Sequence, residues 1–285
     1  MKKQVSVSVS ISASATRAAC ALMLGALATV AHADQLSDIK ARGSLNCGTQ
    51  NASEPYAFPD PATRQVVGFD VDICNALAKG LGVKLQHKPV STDARIPELK
   101  TRRVDVLAAS VAYMPARAAQ VDFSNQYFVA PIKILVRDSS SIKTIADLAG
   151  KKISASEGSS SAALGTTKMP TSRLLTFHDI SSGFLALQQG KVDGLIAGQL
   201  ILSRFAREAA QNGGEQYRLL PGSLYEERIG AAINKNEPAL LAAINQILVN
   251  YEKSGELQTS FDKWLGANST YKMTRDYKVE PINPN

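Results

Sequence analysis

The residues best placed to do chemistry lie in one stretch, 95–128, which reads RIPELKTRRVDVLAASVAYMPARAAQVDFSNQYF. Arg117 follows Pro115 in the first turn of an expected helix, beside an almost uncharged loop. A guanidinium next to the free N–H groups of a helix start suits a small carboxylate. A second such place is Gly158-Ser159-Ser160-Ser161, where hydroxyls meet the start of another expected helix. As nucleophiles these serines have no base near them in the sequence. His87, on an expected strand, and His178, in an expected loop, are far apart. No Cys/His spacing suggests zinc, and no G-x-S-x-G, G-x-G-x-x-G or P-loop pattern occurs. No catalytic residue, cofactor or metal is expected.

The elements that must position these residues alternate. Residues 44–48 read as a short strand and 72–79 as a helix ended by Gly80 and Gly82. A strand at 83–87, a helix capped by Asp93 and carrying Ile96 and Leu99, and a buried strand at 104–109 follow. A second series begins at 132–136. It continues with a helical turn at 145–148, a strand at 152–155, a helix at 182–189, a strand at 192–197 and a helix at 199–210. Pro238 opens a further helix, and another carries Leu257, Phe261, Trp264 and Leu265; the tail after Ala267 reads as irregular. Such alternation predicts an α/β fold with a mostly parallel sheet covered on both faces. LKTRRVDVLAAS (99–110) and LQQGKVDGLIAG (187–198) match without a gap at Leu, Val, Asp, Leu and Ala. Either two amphipathic units coincide by chance, or the chain has two lobes of similar build. In the second case Ser110 and Gly198 face each other across a cleft beyond the strands' carboxyl ends.

Lys2 and Lys3, a short apolar run over 18–30 and Ala31-His32-Ala33 read as a signal peptide over residues 1–33, with the mature chain starting at Asp34. The formal charge is +7; residues 1–33 contribute Lys2, Lys3 and Arg17 and no acid, leaving a scattered +4. No basic run interleaved with aromatics is present, so nucleic acid is not an expected partner. Beyond the leader, Cys47 and Cys74 remain: a disulfide, or two separately buried thiols.

Three segments, VVGFDVDICNALAKGLG, ARIPELKTRRVDVLAAS and YMPARAAQVDFSNQYF, together resemble the polar amino-acid-binding family of periplasmic solute-binding proteins that serve ABC importers. The resemblance runs from about Gly43 to Leu265. It implies a two-lobed, type II periplasmic-binding-protein fold with two hinge crossovers and a central ligand cleft. Lobe 1 would be 34–129 plus 229–285, and lobe 2 would be 130–228. It also implies an amino acid or related small carboxylate as ligand, a membrane permease as partner, a monomer, and a periplasmic location.

The family's binding residues carry over unevenly. Its carboxylate-clamping arginine matches Arg117, although Met114 and Ala116 depart from the usual Thr-Pro-Glu-Arg. The strand-end loop matches Ser110-Val111-Ala112, where Ala112 lacks the usual hydroxyl. The second-lobe loop matches Gly158-Ser159-Ser160, the covering aromatic matches Tyr56, and Arg95 matches an arginine that helps set side-chain preference, or is a surface charge. Where the family commonly has an ammonium-binding aspartate, this chain has Gly198-Gln199. Either another acid such as Glu157 or Glu54 replaces it, or the ligand is not an ordinary α-amino acid. Gln50, where acidic-ligand binders tend to have an arginine nearby, disfavours acidic side chains. Two other functions compete: a cyclohexadienyl dehydratase-like enzyme with Glu157 as its acid, and a ligand-binding partner of a separate sensor.

Overall fold

Helix α1 (Gln35–Arg42) starts where the Asp34 carboxylate accepts from the Ser37 N–H, and stops at Gly43 in the left-handed conformation. It is followed by β1 (Ser44–Thr49), β2 (Phe58–Pro59), β3 (Val66–Val67), α2 (Phe69–Leu81), β4 (Lys84–Pro89), α3 (Arg95–Lys100), β5 (Val106–Leu107), α4 (Pro115–Ala118) and a long β6 (Val121–Arg137). Next come β7 (Lys152–Ser156), α5 (Ser160–Lys168), β8 (Arg173–Phe177), α6 (Ile180–Gln188), β9 (Gly194–Gly198) and α7 (Gln199–Gln211). The chain closes with β10 (Tyr217–Leu219), β11 (Tyr225–Asn234), α8 (Pro238–Lys253) and α9 (Glu256–Trp264). This computed structural model describes residues 1, 3–6, 34–50 and 52–283; the expected leader's apolar run and cleavage site lie outside the described residues.

The strands form one curled sheet in the order β4-β1-β5-β11-β6-β9-β7-β8, with β10 beside β6. Within each half the pairs are parallel: β1 with β4 and β5, β7 with β8 and β9. Strands β6 and β11 are antiparallel to their neighbours and to each other. The sheet is therefore mixed. Two crossing strands that return through the middle cannot share the direction of the parallel units they join. Val129 pairs with Arg228 and Ala130 with Glu227, so the expected crossings are adjacent rungs of one ladder. Register shifts flank Gly230, and such irregularities bend a strand pair.

Each half carries its own core. One buries Phe69, Ile73 and Leu77 of α2 with Ile244 and Leu248 of α8 and Phe261 of α9. In the other half, one cluster gathers Ile134, Ile153 and Ile196, and a second packs Phe184 against Phe205 with stacked rings 4.4 Å apart. Cys47 of β1 and Cys74 of α2 are joined by a disulfide, which decides between the two readings of these cysteines.

The sequence echo is structural. Asp105 N donates to Asn46 O, and Asn46 N donates back to Asp105 Oδ2 at 2.8 Å. Asp193 N donates to Lys152 O, and Lys152 N donates back to Asp193 Oδ2 at 3.0 Å. The preceding helix ends also superpose in pattern: Arg102 (φ 57°) and Gly190 (φ 69°) both turn left-handed and donate to Leu99 O and Leu187 O. Glycine adopts that conformation without a Cβ penalty, and arginine does not.

Three local readings are corrected. The helix expected at Arg117 is a single turn, because residues 121–137 alternate as a strand and provide no helical stripe to extend it. Asp93 does not cap α3; the cap is Ala94, and Asp93 Oδ1 accepts from Ser91 Oγ at 2.6 Å. The strand expected at 104–109 is paired only at Val106–Leu107.

Candidate functional site

Between the halves, beyond the carboxyl ends of β1, β5, β7 and β9, lies a cavity of about 350 Å³. That is the size range of small-ligand sites, and the position is the usual one in open α/β sheets. From the first half come Tyr56, Arg95 and Ser110, and from the second Ser159, Ser160 and Gly198. Ser110 and Gly198, equivalent positions of the echo, thus line the same cavity.

Arg95 is the first residue of α3 and only 4% exposed, not a surface charge. Its Nε donates to Thr92 O at 2.9 Å, and its Nη1 to Ala109 O at 2.8 Å and Ser110 O at 3.1 Å. Burial, with the charge of Arg117 nearby, lowers its pKa to about 9, so it remains a cation at neutral pH. Tyr56 meets Phe128 edge to face at 5.6 Å and forms part of the wall.

The second half contributes the start of α5. Ser159 is its N-cap: its Oγ accepts from Ala162 N at 3.0 Å and donates to Ser156 O at 2.6 Å. The first-turn N–H groups of Ser160 and Ser161 have no backbone partner among the described residues, as expected of a helix start at which an anion is favoured.

Four residues expected in the site do not line the cavity: Ala112, Arg117, Gly158 and Gln199. The Arg117 guanidinium bonds backbone carbonyls through two of its five N–H groups. Nη1 donates to Ala112 O and Nη2 to Gly158 O, each at 2.9 Å. It therefore spans the cleft rather than pointing into it. Gly158 shapes the same crossing, at φ +67° and against the backbone of Asp93. Gln199 starts α7, one residue past the cavity-lining Gly198.

The acid that sequence reasoning missed is Glu227, on β11 directly opposite Ala130. It lines the cavity at 6% exposure and accepts a short hydrogen bond from Ser160 Oγ. The serine cluster does have a carboxylate beside it, supplied from 67 residues away. Burial raises the Glu227 pKa, opposed by the Ser160 hydrogen bond and the charges of Arg117 and Arg95. Glu54 and Glu157, the sequence candidates, are absent from the lining. Behind Ser110 lies fully buried Asp70, accepting from Ser110 Oγ and Tyr127 OH at 2.8 Å each. Burial pushes its carboxyl up to about 6 against those two hydrogen bonds.

A two-lobed α/β fold whose cavity at the strand ends is walled by apolar side chains and carries a few convergent charged and hydroxyl groups is that of a solute-binding protein. The chain belongs to the bacterial extracellular solute-binding proteins, family 3, whose model matches residues 45–267. The ABC transporter glutamine-binding protein GlnH of Bacillus subtilis (strain 168) is 30% identical over 236 residues, 81% of this chain and 85% of that protein. A mutant of the arginine-binding protein ArgBP from T. maritima is 31% identical with a TM-score of 0.73, over 81% of this chain and 98% of that one. The ancestral amino acid-binding protein AncCDT-1, described as a precursor of cyclohexadienyl dehydratase, is 29% identical with a TM-score of 0.73, over 82% and 100%. This chain is accordingly the substrate-binding component of an ABC importer.

Proposed function

We propose that the protein binds a small carboxylate-bearing solute, an amino acid or close derivative, between lobes 34–129 plus 229–285 and 130–228. The observation that carries this reading is Arg95 and the α5 serines facing one cavity from opposite halves. A ligand held by both halves stabilises the closed form, which a permease then recognises. Relatives named for glutamine and arginine support an amino-acid ligand. The protein acts in the periplasm as a monomer once the leader over residues 1–33 is removed, and it is not an enzyme. A thermal-shift screen of L- and D-amino acids, opines, betaines and keto and hydroxy acids tests this. A ligand that binds only the folded state must raise Tm, and silence across the panel in ligand-free protein would overturn the reading.

One observation favours a second reading. Glu227 is an acid with a raised pKa inside the cavity, the kind of group a dehydratase needs, whereas Glu157 does not line the cavity. Product formation from a cyclohexadienyl acid by the purified protein would move that reading to the front.

A further inference from the structure

Two nine-tenths-buried side chains of opposite charge reach the cavity with an atom to spare. Arg95 is 4% exposed and Glu227 6%. Among the described residues, Arg95 Nη2 donates to nothing, its bonds being made through Nε and Nη1. Glu227 uses Oε1 for Ser160 Oγ, and its Oε2 accepts from nothing among the described residues. Each group therefore keeps a bonding position for a polar solute in the cavity.

Among the described residues, no other acid offers a free oxygen there. Asp70 is closed off by Ser110 and Tyr127. Asp179, at the exposed mouth, spends both oxygens on Ser182. Gly198 brings no charge, and the space where its Cβ would stand is open. Among the described residues, the buried charged side chains that line the cavity are Arg95 and Glu227, one of each sign. A solute carrying only a carboxylate would leave one buried negative charge in excess. A zwitterion leaves none.

We propose that Glu227, on the crossing strand β11, supplies the counter-charge for the ammonium group of the ligand, so that the solute is a free amino acid and not its des-amino acid. This rests on the cavity being the binding site. It makes Glu227 a specificity-determining residue at the hinge: the group that recognises the ammonium lies on a strand shared by both halves, hydrogen-bonded to the helix start of the second.

Calorimetric titration of the purified protein with the twenty common L-amino acids, each beside the des-amino acid of the same side chain, tests it. The expected result is that the protein binds at least one amino acid tenfold or more tightly than its des-amino counterpart. Glu227→Gln weakens the amino acid by thirtyfold or more and the des-amino acid by less than threefold. Glu227→Asp, which keeps the charge, retains the preference at reduced affinity, and unchanged unliganded Tm values show that the variants fold. Equal affinity of the unmodified protein for both members of each bound pair would overturn the proposal. So would Glu227→Gln weakening both alike, as loss of the Ser160 contact alone would do. If no member of any pair binds the unmodified protein, the cavity reading itself fails, a separate outcome.

Discussion

A Cβ placed on Gly158 would lie 2.7 Å from the Cα of Asp93, a backbone atom of the opposite half. Side chains do not tolerate that approach, and Gly158 is also held at φ +67°, where a non-glycine residue costs about 1–2 kcal/mol. Opening the cleft relieves the contact but not the dihedral. Gly158→Ala is expected to weaken ligand binding tenfold or more while lowering the unliganded Tm only slightly. Small-angle scattering should then show the liganded variant less compact than the liganded unmodified protein. Unchanged affinity and compaction would mean that this approach is not needed for closure.

Arg117 and Arg95 should differ in their roles. Arg117→Met removes two hydrogen bonds from a cation to carbonyls, Ala112 O and Gly158 O, and so loosens the cleft. A reduction in affinity of about tenfold is expected, since such a bond contributes roughly 1–3 kcal/mol. Arg95→Met should abolish binding. Titrations showing the reverse order would return the carboxylate to Arg117.

The disulfide closes a sequence separation of 27 residues between β1 and α2. The chain-entropy model assigns such a loop about 3.5 kcal/mol, which for a chain of this size corresponds to a fall of roughly 7–14 °C in Tm. Scanning calorimetry with and without reductant, and of a Cys47→Ser, Cys74→Ser double variant, measures it. A fall of less than about 2 °C in both would assign the pair no stabilising role.

Asp70 makes stability depend on pH with a definite sign. Burial raises its pKa from 3.8 to about 6, so the folded state holds the proton more tightly than the unfolded chain. Its contribution is complete below the unfolded value and is lost as pH rises through about 6. The loss is roughly 3 kcal/mol, and Glu227, also raised, acts in the same direction. Urea denaturation between pH 4 and 7.5 should show this decline, and Asp70→Asn should flatten it. The same slope in the variant would exclude Asp70 as its source.

The repeated aspartates should not be equivalent. Asp193→Ala removes one acceptor from Lys152 N, a change expected to cost about 1–2 kcal/mol. Asp105 is more buried, and besides Asn46 N it accepts from Gln35 Nε2 and pairs with Arg42. Asp105→Ala is therefore expected to cost about 3 kcal/mol or more. Equal losses in denaturant titrations would show that only the shared backbone bond matters.

Local pattern was enough for much of the fold. The echo of 99–110 in 187–198 left open chance or two similar units, and the structure decides for the second: both carry a helix end, a left-handed turn and an aspartate bonded to a neighbouring strand. The starts of α5 and α8 were legible from a serine cap and a proline. Strand β6 was not read as one element, since Pro131 interrupts its pattern and its two ends belong to different halves. The site was legible in part. Ser110, Ser159, Ser160 and Gly198, read from strand ends and a helix start, and Tyr56 and Arg95, implied by the family resemblance, line the cavity. The direction of Arg117 and the place of Glu227 were not readable. Arg117 turns to Gly158 only because the second half brings that carbonyl within reach. Glu227 sits in YEERIGAAIN beside two other acids or bases of like exposure to reading, and nothing local marks it. The sequence alone determined the family, through three segments in order along the chain, and the serine-rich helix start, which depends on contacts within a few residues. Which charged groups face the cavity was decided by tertiary structure, where β11 crosses between the halves and burial forces each charge to find a partner far away in the chain.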